Sequence, residues 1–345
     1  MYESFFGLSG KPFQLNPDPD FFYGSRGHKR AMAYLEYGLH QGEGFIVITG
    51  DVGAGKTTLV RNLLRRIPAE TIIAAQIVST QVDADDLLRL VAASFGLEHA
   101  GTQKAALLVQ LEQHFRALHA EGRRALLVVD EAQNLSPRAV EELRMLSNFQ
   151  VGTRSLVQSF LVGQPEFREI MQRPEMRQLK QRIIASYHLG PLDRAETQAY
   201  VEHRLRHVGW QENPAFIEAA FDSIFAHSGG VPRRINTLCD RTLLAAYLGE
   251  LHRVTAEQVE EAAAELGEET GLQDVPPGVA AIAPGPASAY TVQFAPQDAD
   301  RIAQLEDRVA LLEASTSMTY GMLKKVLAAL RARNARRVAD EEPSE

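Results

Sequence analysis

Short apolar runs closed by turn residues alternate with stretches of helical period along the first half of the chain. The runs GFIVITG (44–50), TIIAAQIVST (71–80), RALLVVDEA (124–132), VQSFLVG (157–163) and IASYHLG (184–190) have the length and residue types of buried strands. Between them, segments such as TTLVRNLLRRI and DADDLLRLVAASFG space their apolar residues by three and four, the pattern of an amphipathic helix. This alternation predicts an α/β unit over residues 1–192, a mostly parallel sheet covered by helices on both faces. From about Asp193 to Gly267 the strand signals stop. Helix starts are readable there: Asp193 with Glu196 as a capping pair, Pro214 and Pro232 in first turns, and Thr255 before AEQVEEAAAEL. Residues 193–267 are therefore expected to form an all-helical lid.

A Pro/Gly/Ala-rich stretch, residues 268–298, reads as a flexible linker. Within residues 299–337, Ile302, Leu305, Val309, Leu312, Thr316, Thr319, Leu323, Val326 and Leu330 step by three and four in alternation. That is an a/d seam of about four heptads whose two central members are polar. Ile302 and Val309 at a, with Leu305 and Leu312 at d, suit a parallel two-stranded coiled coil. Arg301 and Arg308 could then pair across it with Glu306 and Glu313. The alternative is one amphipathic helix packed on its own core. The basic run KKVLAALRARNARR precedes an acidic tail, residues 338–345, and is either a contact for anionic lipid or nucleic acid or a solvated helix face.

Composition narrows the classes. A chain of 345 residues with 45% hydrophobic content can bury a sizeable core and is expected to form two domains. With 36 basic and 44 acidic side chains the net charge is −8, which gives no global pull toward nucleic acid. The single cysteine, Cys239, lies among Leu238, Leu243 and Leu244, so it is expected to be a packing residue in a reducing compartment. The opening MYESFFGLSGKPF lacks a signal-peptide pattern, and no apolar run approaches the roughly 18 residues of a spanning helix. A soluble cytoplasmic protein is expected.

The strongest chemical signal is GDVGAGKT: Gly50, Asp51, Val52, Gly53, Ala54, Gly55, Lys56 and Thr57, followed by Thr58. It matches G-x-x-x-x-G-K-[ST] between a predicted strand and a predicted helix. The glycines let backbone N–H groups curl around phosphate oxygens at a helix N-terminus, where the dipole also favours anions. Lys56 reaches the β- and γ-phosphates, and the Thr57 hydroxyl can ligate Mg²⁺. The strand ALLVVD ends at Asp130, a second Mg²⁺ ligand, and Glu131 follows as the base for an attacking water. The next strand leads into LVGQPEF, which puts Gln164 where it either senses the γ-phosphate and orients water or is an ordinary turn residue.

These pieces in this order resemble the AAA+ class of P-loop ATPases. MYESFFGLSGKPFQLNPDPDFFYGSRGHKRAMAYLEYGL, YHLGPLD and GGVPRRINTLCDR further resemble the general-secretion-pathway protein A (ExeA-like) family, most similarly its branch associated with PEP-CTERM/exosortase (XrtA) export loci. The resemblance covers residues 1 to about 267. It implies a sensor arginine at the start of a lid helix, matched by Arg233, whose cation faces its own helix dipole and is compensated by the triphosphate. Arg234 either supports it or pairs with lid carboxylates. The resemblance also implies an arginine finger supplied to a neighbouring copy, for which Arg182 is preferred over Arg177, and hence an oligomeric enzyme. The base would lie near Tyr23, Arg26 or His28, unless Phe5, Phe6, Phe13, Phe21 and Phe22 simply form core. Trp210 is expected to pack a helix end.

The expected activity is Mg²⁺-dependent ATP hydrolysis serving an envelope or exopolysaccharide export system, with self-association through the ATP sites and the C-terminal helix, and with membrane contact only peripheral or through a partner. Absence of an evident membrane span or peptidoglycan-binding domain argues against direct cell-wall attachment. The rival readings are a DNA-associated adaptor of the transposition-helper type and a nucleotide-gated scaffold with little turnover.

Overall fold

In a computed structural model of the chain, residues 1–16, 18–68, 70–78 and 83–270 are described. The expected linker beyond residue 270, the heptads, the basic run and the acidic tail lie outside them, as do the last two residues of the run 71–80. The described residues fall within one compact unit, Met1–Gln273.

Strands β1 (Phe45–Gly50), β2 (Ile72–Val78) and β3 (Arg124–Asp130) are followed by a short antiparallel hairpin, β4 (Gln150–Val151) with β5 (Arg154–Ser155), and then by β6 (Val157–Gly163) and β7 (Ile183–Leu189). The five long strands pair in parallel in the order β2-β3-β6-β1-β7. The expected strands are therefore present, and the sheet is wholly parallel. Its runs read as continuously apolar because both faces are covered. Phe45 and Val47 of β1, with Leu127 and Val129 of β3, pack on one face against α4 (Ala84–Ser94), α5 (Lys104–Ala120) and α6 (Pro137–Leu146). Ile46, Ile48, Leu126 and Val128 face the other way, onto α2 (Arg26–Gln41) and α3 (Lys56–Arg66). Each such fully buried side chain contributes roughly 1.5–3 kcal/mol, against about 0–1 kcal/mol for an exposed ion pair, so these two layers dominate the stability.

Helices α7 (Pro165–Gln172) and α8 (Arg177–Lys180) connect β6 to β7. The lid follows: α9 (Arg194–His207), α10 (Glu218–Ser228), α11 (Pro232–Leu248) and α12 (Ala256–Thr270). Asp193 and Glu196 form the expected capping box on α9. Two expectations need correction. Pro214 does not start a helix: it follows a cis peptide bond and precedes β8 (Ala215–Phe216), while α10 begins at Glu218. The lid is also not wholly helical, because β8 pairs in parallel with β9 (Arg253–Val254), bringing the segments before α10 and α12 together through backbone hydrogen bonds that helices alone would leave unmade.

The N-terminal segment belongs to the lid's core. Tyr2 and Phe6 of α1 (Tyr2–Phe6), with Phe13 and Phe21, are buried among Val201, Leu205, Ile224 and Leu238, and Phe5 packs on their edge. Phe22 instead joins the sheet-facing cluster with Met32 and Leu59. Cys239 is buried in the lid core, which pushes its thiol pKa well above the usual range and leaves it a packing residue.

Candidate functional site

The C-terminal ends of the parallel strands share one edge of the sheet, and β6 stands between β1 and β3 there. The turn after β1 passes through Gly53 (φ 83°) and Gly55 (φ 95°), conformations that cost other residues about 1–2 kcal/mol. Gly55 caps α3 without any side-chain hydrogen bond, so no side chain blocks the first-turn N–H groups from an anion. Lys56 is buried, and its ammonium donates to the carbonyl oxygens of Gly50 at 2.7 Å and Asp51 at 2.9 Å. Burial lowers its pKa against the opposing charges of Glu131, Asp130 and Asp51. The Asp51 carbonyl also accepts the Ala54 N–H, Ala54 is buried, and Val52 and Thr58 line the cleft.

From the end of β3, buried Asp130 meets the loop: Thr57 Oγ1 donates to Asp130 Oδ2 at 2.9 Å. Burial raises the Asp130 pKa despite that bond and one from the Glu131 N–H. Glu131 itself adopts a left-handed backbone (φ 54°), uncommon for a non-glycine residue. Its Oε2 accepts two amide hydrogen bonds, from Gln133 Nε2 at 2.5 Å and Gln164 Nε2 at 3.0 Å. Burial pushes the Glu131 carboxyl up, but these two bonds and the Lys56 charge outweigh it and hold it below its ordinary value. Gln164 is thus in contact with Glu131.

A cavity of ≈ 210 Å³ runs from this loop to the lid. Arg233 lines it from the first turn of α11, and its backbone N–H donates to the Gly53 carbonyl at 3.2 Å. Its exposed guanidinium has no ion-pair partner among the described residues, and Arg234 does not line the cavity. At the other end Tyr23, Tyr200, Arg204 and Asn236 form the wall. Arg204 is buried without a carboxylate: it donates to the carbonyls of Pro12 (2.5 Å) and Gln14 (3.3 Å) and to Tyr200 Oη (3.1 Å), and stacks over Phe21. Of the residues considered for the base end, Arg26 is committed to Asp193 and Glu196. His28 is buried beneath the phosphate loop, with Nδ1 2.7 Å from Ser25 Oγ and a hydrogen bond to the Ala54 backbone.

Arg182 lies elsewhere. It precedes β7, at the sheet edge opposite the phosphate loop, and its guanidinium donates to Ser147 Oγ at 2.5 Å and to Asn148 Oδ1. Arg177 is exposed on α8. Trp210 packs on Phe216 and donates to the Pro214 carbonyl at 3.0 Å, the packing role expected of it. Sequence reasoning missed Gln133, Arg204 and Asn236. A glutamine two residues after a catalytic-type carboxylate carries a weak local signal, whereas the lid residues carry none, because their partners lie about 190 to 220 positions away in the chain.

Residues 39–171 match the family model described as an AAA domain. The chain is 41% identical over 275 residues to general secretion pathway protein A of Aeromonas hydrophila, a match covering 79% of this chain and 49% of that protein; the chain thus spans about half the length of this relative. Among solved structures it is similar to Cdc6p of Pyrobaculum aerophilum, with TM-score 0.58, 17% identity, and coverage of 79% of this chain and 74% of that one. It is also similar to the ORC2 protein of Aeropyrum pernix in its ADPNP-ADP complexes, with TM-score 0.53, 20% identity, and coverage of 69% and 66%. At these identities the two structures speak for the fold alone. The chain therefore has the P-loop AAA+ fold, matches an AAA domain over residues 39–171, and over most of its length is similar to general secretion pathway protein A.

Proposed function

We propose that this protein binds ATP with Mg²⁺ between the sheet edge and the lid and hydrolyses it to ADP and phosphate, working as an assembly of several copies in a secretion or envelope-export system. The observation that carries the reading is the meeting of Thr57 and Asp130 at 2.9 Å, with Glu131 one residue on and lining the same cleft. Thr57 and Asp130 are hard oxygen donors and fit Mg²⁺, which keeps much of its shell as water and phosphate oxygen rather than an all-protein cage. Among the described residues there is no group of three or more His, Cys, Asp or Glu that could form such a cage. When bound, the ion supplies charge neutralisation on the β- and γ-phosphate oxygens.

The chain's own residues supply the rest. Lys56, whose ammonium rests on the loop carbonyls of Gly50 and Asp51, turns to the phosphate oxygens, a better partner for a buried cation. Glu131 takes the proton of the attacking water as its oxygen bonds to the γ-phosphorus and the bond to the β–γ bridging oxygen breaks, releasing ADP. Gln164 orients that water, and Arg233 meets the γ-phosphate from the lid. Arg182, remote from its own loop, serves the site of a neighbouring copy after leaving Ser147 and Asn148, with exposed Arg177 as the alternative finger. The identity with general secretion pathway protein A supports the export role, and the resemblance of the sequence as a whole points to the PEP-CTERM/exosortase branch. No helix among the described residues is long and apolar enough to cross a membrane.

The test is Mg²⁺-dependent ATP hydrolysis per subunit across protein concentration for wild type, Glu131→Gln and Arg182→Ala, followed by mixing of the two variants. Both variants should be inactive, wild-type specific activity should rise with concentration, and mixing should restore part of it. A low rate that ignores concentration and survives Arg182→Ala would remove the shared site.

A further inference from the structure

We propose that Gln133 is a positioning residue of the hydrolytic centre, whose carboxamide fixes the Glu131 carboxylate and joins it to Gln164. This rests on the hydrolysis reading above. Gln133 lies in the 3-10 turn Ala132–Asn134 that follows β3, whereas Gln164 follows β6, the adjacent strand. Gln133 Oε1 accepts the backbone N–H of Gln164 at 3.0 Å. A backbone N–H can only donate, so the oxygen of the carboxamide must face it and the NH₂ must face the other way. That direction is occupied by Glu131 Oε2, at 2.5 Å.

The same carboxylate oxygen receives Gln164 Nε2 at 3.0 Å. Two amides from neighbouring strand ends therefore hold one oxygen of Glu131, and Oε1 is the oxygen neither of them occupies. A carboxylate held in this way presents a defined lone pair to a water in the cleft, which is the geometric requirement on a general base. Glu131 needs such support. Its left-handed backbone is of the kind that persists only where surrounding contacts over-determine it, and such contacts gather at functional sites. Gln133 is half-buried and touches no part of the Lys56 or Thr57 side chains in its hydrogen bonding, so its influence is directed at the base and not at phosphate binding.

The experiment uses the full chain, with steady-state ATP hydrolysis and titration of a fluorescent ATP analogue, for wild type, Glu131→Gln, Gln133→Ala, Gln133→Glu, Gln164→Ala and the double variant Gln133→Ala with Gln164→Ala. Gln133→Ala should lower kcat on the order of 10- to 100-fold, the scale of misplacing a catalytic group, with KM and analogue affinity within about twofold of wild type. Gln133→Glu, of the same size but without an N–H to donate and charged beside Glu131, should lose at least as much. The double variant should lose less than the product of the single losses, since both amides hold one oxygen. Retained analogue binding shows that each variant is folded. An unchanged kcat, a loss matched by equally weakened binding, or losses that simply multiply would each overturn the positioning role. If wild type binds the analogue but does not hydrolyse ATP, or if Glu131→Gln leaves turnover unchanged, the hydrolysis reading falls and takes this one with it. If Glu131→Gln abolishes turnover and Gln133→Ala does not alter it, only the role of Gln133 falls.

Discussion

A Cβ placed on Gly53 would stand 2.3 Å from the Cβ of Arg233, and the Arg233 N–H donates to the Gly53 carbonyl. Phosphate loop and lid helix thus meet backbone to backbone, at a glycine with φ of 83°. Gly53→Ala adds about 1–2 kcal/mol of left-handed strain and a collision with the lid. ATP-analogue affinity should fall by about tenfold or more, measured by fluorescence titration. An affinity near wild type would separate this contact from nucleotide binding.

Arg233 and Arg234 are adjacent and both exposed, yet only Arg233 lines the cleft. A charge-assisted hydrogen bond is worth about 1.5–3 kcal/mol, roughly 10- to 100-fold. Arg233→Ala should therefore erase most of the preference for ATP over ADP, while Arg234→Ala leaves both affinities within about twofold. The ratio of the two dissociation constants, compared between variants, decides the matter.

Arg204 joins the N-terminal segment to α9 through the carbonyls of Pro12 and Gln14. Truncation leaves these acceptors and Tyr200 Oη short of a partner in a buried place. Arg204→Ala is expected to cost about 2–4 kcal/mol, read from chemical denaturation, because each orphaned group costs about 1–3 kcal/mol and the packing over Phe21 is lost as well. Arg204→Lys should recover little of it, since one ammonium cannot reproduce the planar fork. Wild-type stability in either variant would show that the segment docks by its aromatic side chains alone.

Burial holds His28, His114, His188 and His203 below the usual imidazole range. The unfolded chain takes up a proton on each near pH 6.5, while the folded chain keeps them neutral to lower pH. Below about 6.5 the unfolded state binds more protons, so stability is intact at pH 7.5 and falls as the pH drops toward each folded value. Each such group contributes a slope of at most about 1.4 kcal/mol per pH unit. Asp130, raised by burial, acts in the opposite sense. Tm measured from pH 7.5 to 5.5 should fall, and fall less steeply in His28→Gln. A parallel decline in that variant would exclude His28 as a contributor.

Much of the fold was legible because its signals are local. The run 157–163 coincides with β6, and the runs 44–50 and 184–190 lie within one residue of β1 and β7, since apolar runs bounded by turn residues fit buried parallel strands. Pro214 was misread because a proline near a helical pattern fits a first turn and a preceding strand equally well, and the backbone pairing of Ala215 with Arg253 decided between them. The aromatic residues of the first segment were recognisable as apolar but not as lid core, because burial by a distant partner has no period of its own.

The sequence by itself determined the alternation of strands and helices, the phosphate loop from Gly50 to Thr57, and the carboxylates at the end of β3. Each depends on residue type at short spacing, where backbone sterics and a two- or three-to-four-residue period decide the outcome. Only the tertiary structure decided that Gln133 and Gln164 share one oxygen of Glu131 and that Arg204 holds the first segment to the lid. Those relations follow from the strand order β2-β3-β6-β1-β7 and from lid packing, which bring together residues tens to hundreds of positions apart. No local preference encodes such pairs, because the energy that selects them is the burial of whole faces against each other.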